Sequence, residues 1–524
     1  MKAVTFIRAL LRRHLSSSLN AQRYKVAIVG SGPAASYTAH HLLRKANDNL
    51  RFQVDFYERL PSPFGLSRYG VAPDHPEVKN CEECLEDLMA DFGSSGNVTS
   101  HINTHHDDTR HNGTGHIVRF IGNTEVGKDI SLKQLNDNYH SVVLSYGCTD
   151  SDNKLKIPGS DLPGVIAARQ FVNWYNGHPD YHGPNAFFQP PPLDQIESVT
   201  IIGNGNVAFD VARVLLGDPQ SHWMKTDINN DALELLKQSS VKAVNIVARR
   251  GILESAFSNK EFRELLEMST NESKIRFIVP EQDELEELSK LDKKSLGRIN
   301  KRRVKLFEDY IKKYNSWELP DGFKTWSLRY LKSPVEFIKN NDNPDLLSET
   351  KFVINELHHD ELLKTTTVSP TEKFMSIKNE LVILSIGYKG LSLKEFDSMG
   401  ISFKNNHILN KGGRVLSTQN DDIEGLKHKN GWYTSGWIKN GPQGTIAVTM
   451  MDSFDTAQQI LEDMANNIHT NADPKQFDIT ETLPNKVTWD DWKKLDRYEK
   501  EKGQAKGKPR EKVPTIDQML TICK

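Results

Sequence analysis

The 524-residue chain contains only four cysteines, Cys81, Cys84, Cys148 and Cys523. They are too few and too scattered for a disulfide framework, so a reducing or thiol-tolerant compartment is expected. No uninterrupted apolar run approaches ~18 residues, which argues against a membrane-spanning helix. The net charge is only −2, so no global field favours nucleic acid, and none is expected as a partner. No His or Cys pair completes a four-ligand set, so no metal site is expected. The histidine-rich run HINTHHDDTRH, from His101, is irregular and reads as a surface loop.

Acid is also missing at the start, where the first carboxylate is Asp48. The opening MKAVTFIRALLRRHLSSSLNAQRYK instead carries six Lys or Arg and three consecutive serines. Arg8, Arg12 and Arg13 interrupt its apolar residues, which suits neither a secretory nor a spanning segment. An arginine-rich, serine-rich, acid-free start predicts a mitochondrial transit peptide over residues 1–23. A disordered basic tail is the plainer alternative. Beyond it, 37% apolar and 26% charged residues describe a soluble globular chain long enough for two or three domains.

Two glycine loops organise that length. In YKVAIVGSGPAASYTAHHLLRK a β-branched run leads into Gly30-Ser-Gly32-Pro-Ala34-Ala35 and then a helical pattern. This is G-x-G-x-x-A between strand and helix: Gly30 permits the turn, Gly32 admits a pyrophosphate, and Ala35 keeps the helix near the sheet. The next strand, FQVDFYE, ends in Glu58, the expected ribose-binding acid. The ligand of such a site is FAD or NAD. The second copy, SVTIIGNGNVAFDVARVLL, contains Gly203-Asn204-Gly205-Asn206-Val-Ala208, and its following strand, VNIVARRG, ends in Arg249 and Arg250. A 2′-phosphate needs fork-shaped cations where a carboxylate would repel it, so this site reads as NADP-binding. Two solvated surface arginines are the alternative. The spacing from Ala208 to Arg249 is lengthened by GDPQSHWMKTDINND, read as a loop and helix start.

Two such domains suggest a flavoprotein in which FAD meets NADP. ELVILSIGYKG reads as a buried strand that returns the chain to the first domain. WYTSGWIKNGPQGTIAVTMMDSFDTAQQILEDM reads as strand, glycine-rich turn and a long helix starting near Gly444. The N–H groups of that helix end would favour negative charge at the flavin pyrimidine edge. The expected fold is α/β, with two Rossmann-like dinucleotide-binding domains and the NADP domain inserted into the FAD domain. The expected limits are 24–152 and 379–524 for the FAD domain and 153–378 for the NADP domain.

The runs PFGLSRYGVAPDHPEVKN, GNTEVGKD, VVLSYG, IPGSDLPGV, FVNWYNG, GNGNVAFDVAR, RRGILESAFSNKEFRE and SGWIKNGPQGTIA, in this order, resemble the adrenodoxin reductase family of mitochondrial NADPH–ferredoxin reductases. The resemblance extends from about Lys25 to the C-terminal GKPREKV and is weakest over roughly Ile275 to Pro370. It implies FAD contacts from Ala34, Glu58, Leu66 and Val126, with Trp437 and Gly444, Thr445 and Ile446 near the isoalloxazine. It implies NADP contacts from Gly203 to Asn206, Arg249, Arg250 and Glu261, with His75 near the flavin and Asp210 near the nicotinamide. His75, Asp210 and Glu261 are thereby the catalytic candidates. Ala35 and Asn204 depart from the family's usual glycine and glutamine.

The family also implies an acidic [2Fe–2S] ferredoxin as partner. The segment Glu281 to Leu306 turns from acidic to basic. Its basic half is either a solvated helix face or, by the resemblance, the docking surface, around Arg298, Lys301, Arg302 and Arg303. Localisation in the mitochondrial matrix follows, with at most peripheral contact with the inner membrane. The rival readings are a flavin disulfide reductase, a monooxygenase and a flavin-bearing binding protein. A disulfide reductase would use Cys81-Glu-Glu-Cys84, but the neighbouring acids should raise both thiols.

Overall fold

The computed structural model describes residues 23–524 except 48–49, 94–114, 149–150, 280–288, 290–291, 315–318, 320, 361–364, 418–426, 467–473 and 475–476. The expected transit peptide, the run from His101 and nearly all of the acidic half of Glu281–Leu306 lie outside the described residues.

The chain begins with β1 (Tyr24–Val29), the helix Pro33–Lys45, β2 (Phe52–Tyr57), β3 (Ile117–Ile121) and β4 (Ser141–Leu144). These strands are short and rich in β-branched and aromatic residues, and Val26 to Val29 are all buried. Such runs suit parallel strands covered on both faces. After β5 (Ser151–Asp152) come β6 (Val165–Ala167), β7 (Ser198–Ile202), the helix Asn206–Leu216, β8 (Ala243–Val247), β9 (Ile275–Ile278) and β10 (Lys324–Arg329). An antiparallel meander follows, β11 (Lys332–Lys339), β12 (Leu347–Asp360) and β13 (Thr365–Lys378), then β14 (Leu381–Leu384) and β15 (Tyr388–Lys389). β16 (Asn410–Lys411), β17 (Arg414–Ser417) and β18 (Lys427–Thr434) precede the helix Ile446–Ala465.

The first sheet has the order β16-β17-β18-β4-β1-β2-β3, and the second β6-β14-β7-β8-β10-β9. The first therefore contains residues from both ends of the described chain, with the second sheet inserted between them. One expectation is corrected. Leu381–Leu384, read as the return to the first domain, pairs parallel with β6 and β7 in the second sheet. The return comes later, at β15, which pairs antiparallel with β5, so the chain leaves and re-enters the first unit at one place.

Each sheet has its own core. Around the second, Phe209, Phe257, Phe262 and Trp326 form an aromatic cluster. Behind the first, Ala35, Leu42, Leu88 and Ile460 pack with Trp492. Trp492 belongs to the helix Trp489–Gln504, whose Glu499 is fully buried against Arg68 at 2.6 Å and Arg510 at 2.9 Å. Burial pushes the Glu499 pKa up, but the two cations on this one carboxylate outweigh that and leave it lowered,.

Candidate functional site

Parallel pairing places the two glycine loops in equivalent settings. Val29 lies opposite Tyr57 and Ile202 opposite Val247. Gly30 N donates to Tyr57 O, and Gly203 N to Val247 O, each at 2.8 Å. Gly30 has φ +100° and Gly203 φ +108°. A Cβ on either would lie 2.7 Å from the Ser145 carbonyl oxygen or 2.2 Å from that of Ser385. The first glycine of each loop is thus demanded by the protein itself.

The second glycine is not. A Cβ on Gly32 would meet no protein atom closer than 3.9 Å, and one on Gly205 nothing within 4 Å. Both have extended backbone at the N-cap of the following helix. The space a Cβ would fill is therefore ligand space, as a pyrophosphate at a helix N-terminus requires. On this observation both loops fit a dinucleotide.

At the first loop the chain forms a cleft open to solvent. It is lined by Gly30, Gly32, Ala34, Glu58, Leu66, Val126, Trp437 and Ile446 among others. Ala35 lies behind it, fully buried between helix and sheet. Gly444 and Thr445 are exposed at the start of the helix whose Ile446 and Thr449 reach the cleft. Glu58 Oε2 accepts from Ser31 N at 3.1 Å and Ser31 Oγ at 2.6 Å, and Oε1 accepts from Leu60 N at 3.1 Å. Burial nevertheless pushes its carboxyl pKa up. Trp437 is half-buried with its ring 5.8 Å from Tyr388. Phe64, missed in the sequence, is buried against Trp489 and Trp492, and its carbonyl oxygen would lie 3.9 Å from a Cβ on Gly32. It adopts φ +84°, rare for a bulky side chain, and its N–H donates to Ser31 O at 3.1 Å. Phe64-Gly65 in PFGLSRYG was the available signal.

At the second loop, Asn204 Nδ2 donates to Ser255 Oγ at 3.0 Å, and Asn206 Oδ1 accepts from Ser258 N at 2.7 Å. These bonds tie the loop to the segment after VNIVARRG. Here the structure shifts an expectation by one residue. The position equivalent to Glu58 is held by buried Ala248, and the arginines stand one and two residues beyond it. Arg249 is exposed and Arg250 half-exposed. Neither guanidinium makes a hydrogen bond or ion pair among the described residues.

His75, Asp210 and Glu261, distant in sequence, come together with ligand atoms within 4.8 Å of one another. The centre of this group is not open to a metal ion, because the buried Arg213 guanidinium fills it. Arg213 donates to Asp210 Oδ1 at 2.8 Å, Glu261 Oε2 at 3.0 Å and Asp74 Oδ2 at 3.0 Å. Its Nη2 also lies 3.1 Å from His75 Nε2, which is 2.7 Å from Glu264 Oε2. Burial, opposed by Arg213 and reinforced by Glu261, pushes the Asp210 carboxyl up to about 7. Asp74 is held far below the usual carboxylate range by His222 and Arg213. Sequence reading missed Arg213. The signal was Asp210 and Arg213 at i, i+3 on an otherwise apolar helix.

Two other candidates resolve differently. Cys81 and Cys84 lie in the first turn of the helix Cys81–Phe92, outside the cleft lining. Burial, with Asp87 adding to it, pushes the Cys84 thiol up to about 12, and Cys81 is raised by burial as well. On the helix Arg298–Tyr314, Arg298, Lys301 and Arg302 are exposed. Arg303 is not, which corrects its place in the expected docking surface. Its guanidinium donates to the carbonyls of Phe257 at 2.9 Å and Ser255 at 3.1 Å and lies 4.9 Å above the Phe257 ring.

A parallel-sheet fold with paired glycine loops and opposite charges at their ribose ends defines a flavin- and pyridine-nucleotide-dependent oxidoreductase. In agreement, the family described as "Pyridine nucleotide-disulphide oxidoreductase" matches residues 24–301. The "Probable NADPH:adrenodoxin oxidoreductase, mitochondrial" of Saccharomyces cerevisiae is 38% identical over 521 residues, 97% of each chain. The human "NADPH:adrenodoxin oxidoreductase, mitochondrial" is 38% identical over 508 residues, covering 95% of this chain and 91% of its own. Among solved structures, Mycobacterium tuberculosis FprA in complex with NADPH is similar with a TM-score of 0.78 at 31% identity, covering 96% of this chain and 100% of its own. The chain belongs to the NADPH:adrenodoxin oxidoreductase family.

Proposed function

We propose that the chain oxidises NADPH at the second glycine loop, holds FAD in the first cleft, and passes single electrons to an adrenodoxin-type [2Fe–2S] ferredoxin. The observation that carries this reading is the matched pair of loops, one ending in Glu58 and the other in Arg249 and Arg250. When bound, FAD accepts two electrons together and releases them singly, as a one-electron iron–sulfur acceptor requires.

The chain's residues do the rest. Glu58 accepts from ribose hydroxyls, Gly32 and the helix behind it seat the pyrophosphate, and Leu66, Val126 and Trp437 flank the cleft. The helix starting at Ile446, preceded by Gly444 and Thr445, directs unpaired N–H groups toward negative charge. Gly203 to Asn206 seat the second pyrophosphate, and Arg249 and Arg250 clasp the 2′-phosphate. His75, Asp210 and Glu261 face the reacting end of the nicotinamide. Arg213 holds them in register across the two units, and Asp210, with its carboxyl near neutrality, can hold or give up a proton. The inserted NADP unit is assigned to Asn153–Gly387, between the paired β5 and β15, in place of the expected end at 378.

For the ferredoxin, exposed Arg298, Lys301 and Arg302 offer a basic surface complementary to an acidic partner. The proposed location is the mitochondrial matrix, with at most peripheral membrane contact; no described helix is long and apolar enough to cross a membrane. The disulfide-reductase alternative is disfavoured by the raised thiols of Cys81 and Cys84, which lie off the cleft. The test is direct: purified protein should be yellow, bleach with NADPH, and reduce an adrenodoxin-type ferredoxin. A protein that NADPH does not bleach, or that reduces disulfides faster than ferredoxin, would refute the proposal.

A further inference from the structure

Neither dinucleotide site uses the insertion that lengthens the second glycine unit, residues 217–229, GDPQSHWMKTDIN. It is firmly folded, with Trp223 and Ile228 fully buried. Its polar contacts reach the other unit. His222 Nε2 lies 3.3 Å from Asp74 Oδ2. Asp227 accepts from Lys79 Nζ at 2.7 and 2.6 Å and pairs with Lys512 Nζ at 3.0 Å. The Ile228 carbonyl accepts from Lys508 Nζ at 2.5 Å. Asp227, Lys508 and Lys512 are all buried, where lysines are rarely found unless paired.

These contacts bracket His75. The segment Val71 to Asn80 is gripped at Asp74 by His222 and at Lys79 by Asp227. Its start is held by Asn176 Nδ2, which donates to Val71 O at 3.2 Å. Lys512 adds the closing part of the chain to the same carboxylate. Val513 N beside it donates to Glu499, the partner of Arg68. Arg68 adjoins Tyr69, which lines the cleft. One insertion in the NADP unit thus anchors two separate parts of the FAD unit on one buried carboxylate.

We infer that residues 217–229 form an inter-unit latch. Asp227, with His222, acts as a positioning residue that fixes the His75 segment and sets the alignment of nicotinamide against flavin. The inference rests on the proposed function, because alignment matters only if the two cofactors react. A small misplacement remote from the chemistry lowers rate more than affinity.

The test is Asp227→Asn, which removes the charge at nearly constant volume. The variant should keep its FAD and its affinity for NADP, while bleaching by NADPH in rapid mixing slows by about ten- to a hundredfold. The long-wavelength charge-transfer absorbance of the nicotinamide–flavin complex should weaken, and the His75 and Val78 amides should exchange faster with deuterium. Asp227→Glu should recover much of the loss. If the amide variant loses flavin, adding Lys79→Gln and Lys512→Gln removes all three charges and strands no buried cation. His222→Gln, whose ring is partly exposed, perturbs the same segment with little risk to folding. Normal bleaching and charge-transfer absorbance in His222→Gln and in Asp227→Asn, alone or with the two lysine changes, with only melting temperature lowered, would overturn the latch. Wild-type protein that NADPH fails to bleach would instead overturn the functional reading beneath it.

Discussion

The two glycines of each loop should respond in opposite ways to the same methyl group. At Gly30 an alanine must adopt φ +100° with its Cβ 2.7 Å from the Ser145 carbonyl oxygen. The left-handed backbone alone costs about 1–2 kcal/mol, and the carbonyl contact adds to it. Gly30→Ala and Gly203→Ala should therefore lower the melting temperature of the cofactor-free protein by several degrees. At Gly32 and Gly205 the backbone is extended and the Cβ meets no protein atom within 3.9 Å. There alanine should stabilise the cofactor-free fold by about 0.4–1 kcal/mol, by restricting the unfolded chain. The methyl instead enters the dinucleotide's space, where overpacking costs about 1–3 kcal/mol, roughly five- to a hundredfold in affinity. Gly32→Ala should release flavin yet melt no lower than wild type when both are stripped of it. Gly205→Ala should stay yellow and bind NADPH weakly. The assay is flavin content, NADPH titration and cofactor-free melting on all four variants. If Gly32→Ala kept full flavin affinity, or Gly205→Ala full NADPH affinity, the open space beside that glycine would not be pyrophosphate space.

Arg249→Ala and Arg250→Ala should each raise the NADPH Michaelis constant about ten- to a hundredfold, from a charge-assisted contact of about 1.5–3 kcal/mol, and leave turnover at saturation little changed. The Michaelis constant for NADH, which has no 2′-phosphate, is the control and should barely move. For pH, the Asp210 carboxyl is raised to about 7 from an ordinary value near 4, so the folded protein binds its proton more tightly than the unfolded chain does. Its contribution to stability is full below about pH 4 and is lost as pH rises toward 7. Asp210→Asn should flatten that slope in denaturant titrations and remove any titration near pH 7 from the rate of reduction by NADPH. Arg302→Glu should slow ferredoxin reduction and weaken its salt dependence at an unchanged melting temperature. Arg303→Glu should instead lower the melting temperature by several degrees, because its guanidinium serves the Ser255 and Phe257 carbonyls.

The legible parts of this fold were the local ones. Around Gly30 to Glu58 and Gly203 to Arg250 the chain forms two strand–turn–helix–strand units whose signals are local, so the turns and the opposite charges at their ends could be read directly. Tertiary pairing decided what was misread. Leu381–Leu384 has the composition of any buried parallel strand, and nothing local says that it inserts between β6 and β7. Arg213 looks like a helix-surface charge until Asp74 and His75 arrive from one segment and Glu261 from another. Arg303 was legible and was overlooked. It shares one face of its helix with Val304, Phe307 and Ile311, a 3.6-residue pattern that turns it inward. The offset of Arg249 from the Glu58 position needed the strand register, which composition does not encode.

The pairing of β18 with β4 has a consequence for how the protein is made. Leu144 and its partner Thr434 are separated by about 290 residues of intervening chain, which at roughly 5–20 residues per second takes from about fifteen seconds to a minute to synthesise. During that interval β1 to β4 exist with one edge of the nascent sheet, at β4, still waiting for its last strands, while the whole inserted unit, complete in itself, can collapse behind them. The flavin cleft, which needs Trp437 and Ile446, becomes possible only after the inserted unit is complete. A chain released before Lys427 should carry a folded nucleotide unit and no colour.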